Sequence, residues 1–138
     1  MIEALKPKSG FPIIVQPPVL ADGETHICAL ISADGARCEH LILLPDQFVG
    51  NWKKSLDWAE SIGGQLPDAV EAALLFAHAE DELEPLDAYW TRVQHPTEVA
   101  WSLCFSGVGH GACASSDTLL ARAIRRSRIP PLSHQVAA

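Results

Sequence analysis

Apolar and polar positions along the chain fall into two periods. From Val99 to Phe105, Val99, Trp101, Leu103 and Phe105 alternate with Ala100, Ser102 and Cys104, the period of two that marks a strand with one face in a core. Tyr89 to Val93 reads as a further strand. Two further β-rich runs, His26 to Ile31 and His40 to Leu44, flank Ala33-Asp34-Gly35-Ala36, whose Asp-Gly pair is a hairpin signal. In that hairpin Cys38 faces Ile31 and Cys28 faces Leu41, which puts the two sulfurs on opposite sides of the sheet and disfavours a bond between them.

Between these strand regions the period lengthens. Asn51 is placed to cap a helix that begins at Trp52 and stops at Gly63-Gly64. Trp52, Leu56, Trp58, Ala59 and Ile62 lie on its apolar side, so the tryptophans read as core anchors. A second helix opens at Leu66-Pro67-Asp68, where Asp68 and Glu71 have capping-box spacing, and runs to about Ala79. It is apolar on nearly every side, with Glu71 and His78 on a narrow polar stripe, and is expected to be buried. Upstream, Pro7, Pro12, Pro17 and Pro18 interrupt any helix but allow an edge strand around Ile13-Ile14-Val15. Leu119 to Arg128 fits a basic helix or a strand equally well.

At 138 residues the chain reads as one domain, able to bury roughly 68% of its unfolded surface. Its 48% hydrophobic and 20% charged content fits a globular protein. Apolar runs such as Leu41 to Leu44 fall far short of the ~18 residues of a membrane span, and no secretory leader is visible. The formal net charge of -7 disfavours direct nucleic-acid binding and favours basic partners.

Four cysteines, at 28, 38, 104 and 113, include no Cys-x-x-Cys pair and are read as free thiols. A hairpin centred on Val108-Gly109 would set Cys104 opposite Cys113, where a cross-strand bond is conceivable. His110 between them invites a reactive-thiol reading, but the glycine-rich Gly107-Val108-Gly109-His110-Gly111 is read as a hairpin tip. The six histidines are dispersed without His-x-x-x-His. Glu71 and His78 lie ~10.5 Å apart along a helix axis, too far to share a metal, and His78 is expected to pair with Glu82. No cofactor or metal is expected.

The order Gly63-Gly64-Gln65-Leu66-Pro67-Asp68-Ala69-Val70-Glu71, Tyr89-Trp90-Thr91, Ala100-Trp101, Phe105-x-Gly107 and Ala121-Arg122-Ala123-Ile124-Arg125-Arg126 resembles the phage and bacterial C-type-lectin-like domain family. Those domains typically read Gly-x-x-Leu-Pro-Thr/Ser-x-x-Glu, Tyr-Trp-Thr/Ser-Ser, Ala-Trp-x-x-x-Phe-x-x-Gly and Arg-x-Val-Arg-Arg, and the match runs from Trp52 to Arg126. The resemblance implies an α+β, compact C-type-lectin-like fold, with two helices packed on a small, mainly antiparallel sheet. It also implies that Leu120 to Arg126 is a strand whose arginines close the domain. On such a strand Arg122 and Arg126 share a face with Leu120 and Ile124, and Arg125 points the other way, toward Glu80 to Glu84 if the fold brings them together.

The domain is expected to cover residues 1–129, as N-terminal strands and hairpin (1–50), two helices (51–79) and C-terminal strands (89–128), followed by a disordered tail at 130–138. Two departures stand out. Arg92 occupies a position where the family has a small hydroxyl residue, and only about ten residues bridge the second helix and the Tyr-Trp strand. The Glu-Pro-Asn or Gln-Pro-Asp and Trp-Asn-Asp motifs of the calcium-binding lectins are absent, so calcium-dependent sugar binding does not follow. Distant relatives of the fold include the copper-handling formylglycine-generating oxidases, of which only Cys104 and Cys113 are reminiscent.

The functional expectation is a non-catalytic phage- or prophage-type module that binds another protein. Its contacts would be the Gly107 to Ser116 hairpin and the Tyr89 to Pro96 segment. The alternative is a small acidic intracellular inhibitor that fills the basic groove of a host defence complex, CRISPR-type or otherwise nucleic-acid-handling, with its carboxylates. The candidate partner-binding residues are Glu80, Asp81, Glu82, Glu84, Asp87, Arg92, His95 and His110. Neither direct nucleic-acid contact nor a membrane is expected. The compartment would be the cytoplasm of a bacterial host, or the virion.

Overall fold

A computed structural model describes residues 15–84, 88–95, 99–104 and 109–130. The chain is α+β. In order it forms β1 (Thr25–Ile31), β2 (Cys38–Leu43), β3 (Phe48–Gly50), α1 (Trp52–Ser61), α2 (Ala69–His78), a 3-10 turn (Glu80–Glu82), β4 (Ala88–His95), β5 (Val99–Cys104), β6 (Gly109–Ala114), β7 (Leu119–Ala121) and β8 (Ile124–Arg128). Among the described residues no helix is long and apolar enough to cross a membrane.

The strands form two sheets rather than one, in the orders β1-β2-β8 and β3-β7-β4-β5-β6. The division arises where the resemblance implies a single strand, Leu120 to Arg126. Leu119–Ala121 pairs with β3 and touches β4, whereas Ile124–Arg128 pairs with β2. At the break the Arg122 guanidinium donates to the carbonyls of Leu44 (3.0 Å) and Glu82 (2.7 Å), and Ala123 accepts from the Leu44 amide. These bonds stand where ladder pairing lapses, and they satisfy the Leu44, Glu82 and Ala123 carbonyls as the chain passes from one sheet to the other.

The β1–β2 hairpin has the register expected of it, with Cys28 opposite Leu41 and Ile31 opposite Cys38, after a bulge between His26 and Cys28. The β5–β6 hairpin does not. Cys104 lies opposite Gly109 and Cys113 opposite Ala100, because Gly109 already belongs to the ladder and the connection occupies 105–108, outside the described residues. Four ladder positions, about 13 Å at strand rise, then separate the two cysteines, too far for the conceivable disulfide. The expected edge strand is also missing where it can be seen: Val15 to Leu20 has no regular structure, and Pro17-Pro18 supplies no amide hydrogens. Ile13, Ile14 and the tail from 131 lie outside the described residues.

Both helix starts follow their sequence signals. The Asn51 side chain accepts from the Lys54 amide, and Asp68 and Glu71 complete a reciprocal capping box. Trp90 is fully buried and donates to the Gly50 carbonyl, Trp52 donates to that of Thr91, and Trp58 stacks on Phe48. Trp52, Trp58 and Trp90 are thus anchors. Helix α2 differs from expectation, since only one face is covered: Val70 is 60% exposed while Glu71 is 0% exposed. The supposed polar stripe is partly the inward face. His78 is exposed, and Glu82 accepts from the Thr25 hydroxyl instead.

One core lies between α2 and the first sheet, with Ile27, Leu41, Leu43, Leu75 and Ile124, joined by Tyr89. The other gathers Leu44, Ala59, Leu66, Trp90, Ala121 and Ala123 beneath α1. The end of α1 locks the two together. Gly63 adopts φ 85, and the amides of Gly63 and Gly64 return to the carbonyls of Glu60 and Ala59, a Schellman closure. Gln65 then exchanges both backbone bonds with Ile124. A Cβ on Gly64 would lie 2.6 Å from Leu44 Cδ1 and 2.7 Å from the Ile124 carbonyl oxygen, whereas one on Gly63 meets nothing within 4 Å.

Two glycines therefore serve different needs, and substitution separates them. Gly63→Ala should cost about 1–2 kcal/mol in urea unfolding, with much of the loss recovered in Gly63→Asn, because asparagine tolerates the left-handed region. Gly64→Ala should cost about 1–3 kcal/mol through overpacking, and Gly64→Asn should recover nothing.

Candidate functional site

The densest polar constellation is built on Glu71. The capping box turns its side chain back toward the start of α2, where Oε1 accepts from the Asp68 amide at 2.9 Å. Three guanidiniums then converge on it from both sheets. Arg126 on β8 places Nε 2.6 Å from Oε2 and an Nη 2.7 Å from Oε1, Arg92 on β4 approaches Oε1 at 2.7 Å, and Arg37, just before β2, approaches Oε2 at 2.7 Å. Glu39 and Asp68 supply two further carboxylates, at 2.7 Å from Arg37 and 3.4 Å from Arg92. Three cations thus face three anions.

Burial by itself would raise the Glu71 pKa, but the Arg126 hydrogen bonds, the Asp68 amide and Arg92 outweigh it and hold it at about 2. Both oxygens of this carboxylate are occupied by donors. It is therefore unsuited to act as a general base. Its role is to bind α2 to both sheets.

The remaining basic cluster is spent in the same way. Arg125 does not reach Glu80 to Glu84 but pairs with Glu24 through Nε (2.7 Å) and an Nη (2.8 Å), because β8 places it opposite Ile42 on the face where Glu24 lies. Arg125 is the largest influence on Glu24, whose pKa is held at about 2. Arg122, 8% exposed, meets the acidic turn through the Glu82 carbonyl; its Nε has no hydrogen-bond partner among the described residues. Burial lowers its pKa.

The sequence-derived contact residues do not form one patch. Glu80, Asp81, Glu82 and Glu84 are exposed around the 3-10 turn, and Asp87 lies outside the described residues. The turn is held down by the bond from Thr25 to Glu82 and by the Glu84 amide donating to the Tyr89 hydroxyl at 2.7 Å. Arg92 points at Glu71 and Asp68. His95 pairs with Val99 and His110 with Leu103, four positions apart along β5 and so about 13 Å; their side chains lie outside the described residues.

What sequence reasoning missed is the Glu71 hub. The capping box identified Glu71 as a helix-start residue, and the Arg122 to Arg126 run marked the basic cluster. Nothing local connected either to Arg37 or Arg92. Burial pushes the thiols of Cys28 and Cys38 above their ordinary range, the opposite of an activated nucleophile. Among the described residues no three histidine, cysteine or acidic side chains are grouped to hold a metal ion.

Glu71→Gln should lower unfolding free energy by about 3–5 kcal/mol, since it leaves three guanidiniums around a neutral amide. The folded pKa of Glu71 lies below its ordinary 4.5, so its contribution is complete above that value and disappears as pH falls toward about 2. Wild-type stability should fall across this window. The Glu71→Gln variant should show a flatter slope, leaving the part due to Glu24; denaturant titrations at several pH values measure both.

No protein-family model matches this sequence, and no curated protein matches it at a significant level.

Proposed function

We propose that the chain is a non-catalytic protein-binding module of phage or prophage type with a C-type-lectin-like fold. The observation that carries this reading is how charge is distributed. Arg37, Arg92, Arg122, Arg125 and Arg126 all turn inward onto protein acceptors. Glu80, Asp81 and Glu84 stay exposed, with no ion pair among the described residues. Buried polar groups are committed to the scaffold, while an unneutralised acidic edge faces outward, ready for a basic protein surface.

The family part of the reading is supported by contacts among the residues that carry the resemblance. Trp52 binds the Thr91 carbonyl, Leu66 packs in one core with Trp90, and Glu71 binds Arg126. Arg92, the departure from the family pattern, is absorbed by Glu71 as well. In this reading β4 and the stretch from β6 to Ser116 supply the remaining contact surface among the described residues.

The acidic edge also favours a second reading, in which the protein fills the basic nucleic-acid groove of a host defence complex. Charge-neutral changes at Glu80, Asp81 and Glu84 separate the two, because none of the three side chains supports the fold. Tagged wild-type and triply neutralised protein would be used to capture partners from bacterial lysate at low and high salt. A nucleic-acid-handling partner that is lost at high salt, and bound about tenfold more weakly by the variant (about 1.4 kcal/mol), supports the inhibitor. A basic partner that handles no nucleic acid and is bound more weakly by the variant supports the protein-binding module, whereas a partner that tolerates both salt and neutralisation would take the acidic edge out of that reading. If a directly assayed turnover activity of the purified protein appeared, both readings would fall.

A further inference from the structure

Two histidines that lie 14 residues apart in the sequence meet across the β1–β2 hairpin. Leu41 and Leu43 point into a core, so His40 and Ile42, which alternate with them along β2, lie on the opposite face of the sheet. His26 sits opposite Ile42, immediately before the bulge in β1, and shares that face. This pairing leaves Nε2 of His26 3.0 Å from Nδ1 of His40.

The two rings differ in freedom. His40 is 4% exposed and donates to the Gln16 backbone; with Nδ1 turned toward His26, the donor is Nε2 and Nδ1 keeps its lone pair. A backbone carbonyl behind the ring is the outer partner that metal-ligating histidines typically have. Burial first, and His26 second, push the His40 pKa down, which keeps the ring in the neutral form that coordinates metal. His26 is exposed and carries the hydrogen between the rings. Its tautomer is free to change, because water can hydrate either of its nitrogens.

We propose that Nε2 of His26 and Nδ1 of His40 form a cross-strand site for a late divalent transition-metal ion, with copper(II) as its preferred occupant. On binding, both nitrogens donate lone pairs to the ion, two of its waters leave, and the hydrogen of His26 passes from Nε2 to Nδ1 through solvent, so no proton is released overall. At a metal–nitrogen distance of about 2.0–2.1 Å, nitrogens 3.0 Å apart subtend roughly 95° at the ion. Rings that converge on one ion at this distance and angle have centroids about 4.7 Å apart, and the rings stand at 4.7 Å. An angle near a right angle is that of neighbouring ligands in a tetragonal site, the geometry of copper(II), which also stands highest in affinity for nitrogen donors. Calcium and magnesium require oxygen ligands and are excluded. Among the described residues no third histidine, cysteine or carboxylate joins the pair, so the remaining positions fall to water. Of the cations on β8, Arg125 is neutralised by Glu24, and Arg128, which lines a groove with His40, is exposed and screened by solvent.

Titration of the untagged chain with Cu²⁺ alone at about pH 7.5 tests the site. Below about one equivalent, paramagnetic broadening should remove the ring signals of His26 and His40 before those of His78, His95, His110 and His134, and the electron paramagnetic resonance spectrum should show splitting by two imidazole nitrogens. His26→Ala, at an exposed position, should weaken Cu²⁺ binding at least about tenfold, whereas His78→Ala should leave it unchanged. Earlier broadening of any other histidine would overturn the proposal, as would splitting by fewer than two nitrogens or a His26→Ala protein that binds as the wild type does. The broadening and the splitting are read on the wild type, so they decide the matter even where a variant fails to fold.

Discussion

One buried carboxylate sets the terms for the whole molecule. Glu71 has no exposed surface, and a lone charge in that position would be strongly unfavourable. It is tolerated because guanidiniums arrive from the lead-in to β2, from β4 and from β8, with an amide from its own helix start. The same bonds make α2, the three-stranded sheet and the five-stranded sheet one mechanical unit. Strong pairing of this kind brings directional specificity more reliably than net stability, and the two hydrophobic cores supply the latter.

The seam from Ala121 to Ile124 works alongside this hub. Within four residues the chain leaves one sheet, satisfies the Leu44 and Glu82 carbonyls through Arg122, and enters the other sheet against Gln65. Small residues at Ala121, Ala123 and Gly64 permit the approach, and the Arg122 side chain replaces the hydrogen bonds that a continuous ladder would have provided. Arg122, Arg125 and Arg126 therefore act as structural closure while Arg128 stays exposed, which leaves the acidic turn unmatched by them.

Much of the local structure was legible in the sequence because its causes are local. Asn51, Asp68 with Glu71, and Gly63 specify helix ends by side-chain or backbone geometry within a few residues, and Asp34-Gly35 specifies the first hairpin and its register. The failures share a different cause. Phe48 to Gly50 is too short to show a period, and the break at Arg122 depends on carbonyls 78 and 40 residues away. The inward turn of Glu71 depends on arginines 34, 21 and 55 residues distant. For the candidate contact residues, the sequence identified the acidic turn but could not place Arg92 or separate His95 from His110, since both depend on strand register.

The position of β8 also bears on the order of assembly. It is the last of the described strands, yet it completes the sheet begun by β1 and β2, and Arg125 meets Glu24 across a separation of 101 residues. Until Ile124 to Arg128 has been synthesised, the β1–β2 hairpin has an open hydrogen-bonding edge and Glu71 lacks its doubly bonded guanidinium. Native packing of the hairpin must therefore wait until β8 has been synthesised, and during that interval the open edge is a part of the nascent chain exposed to pairing with another molecule.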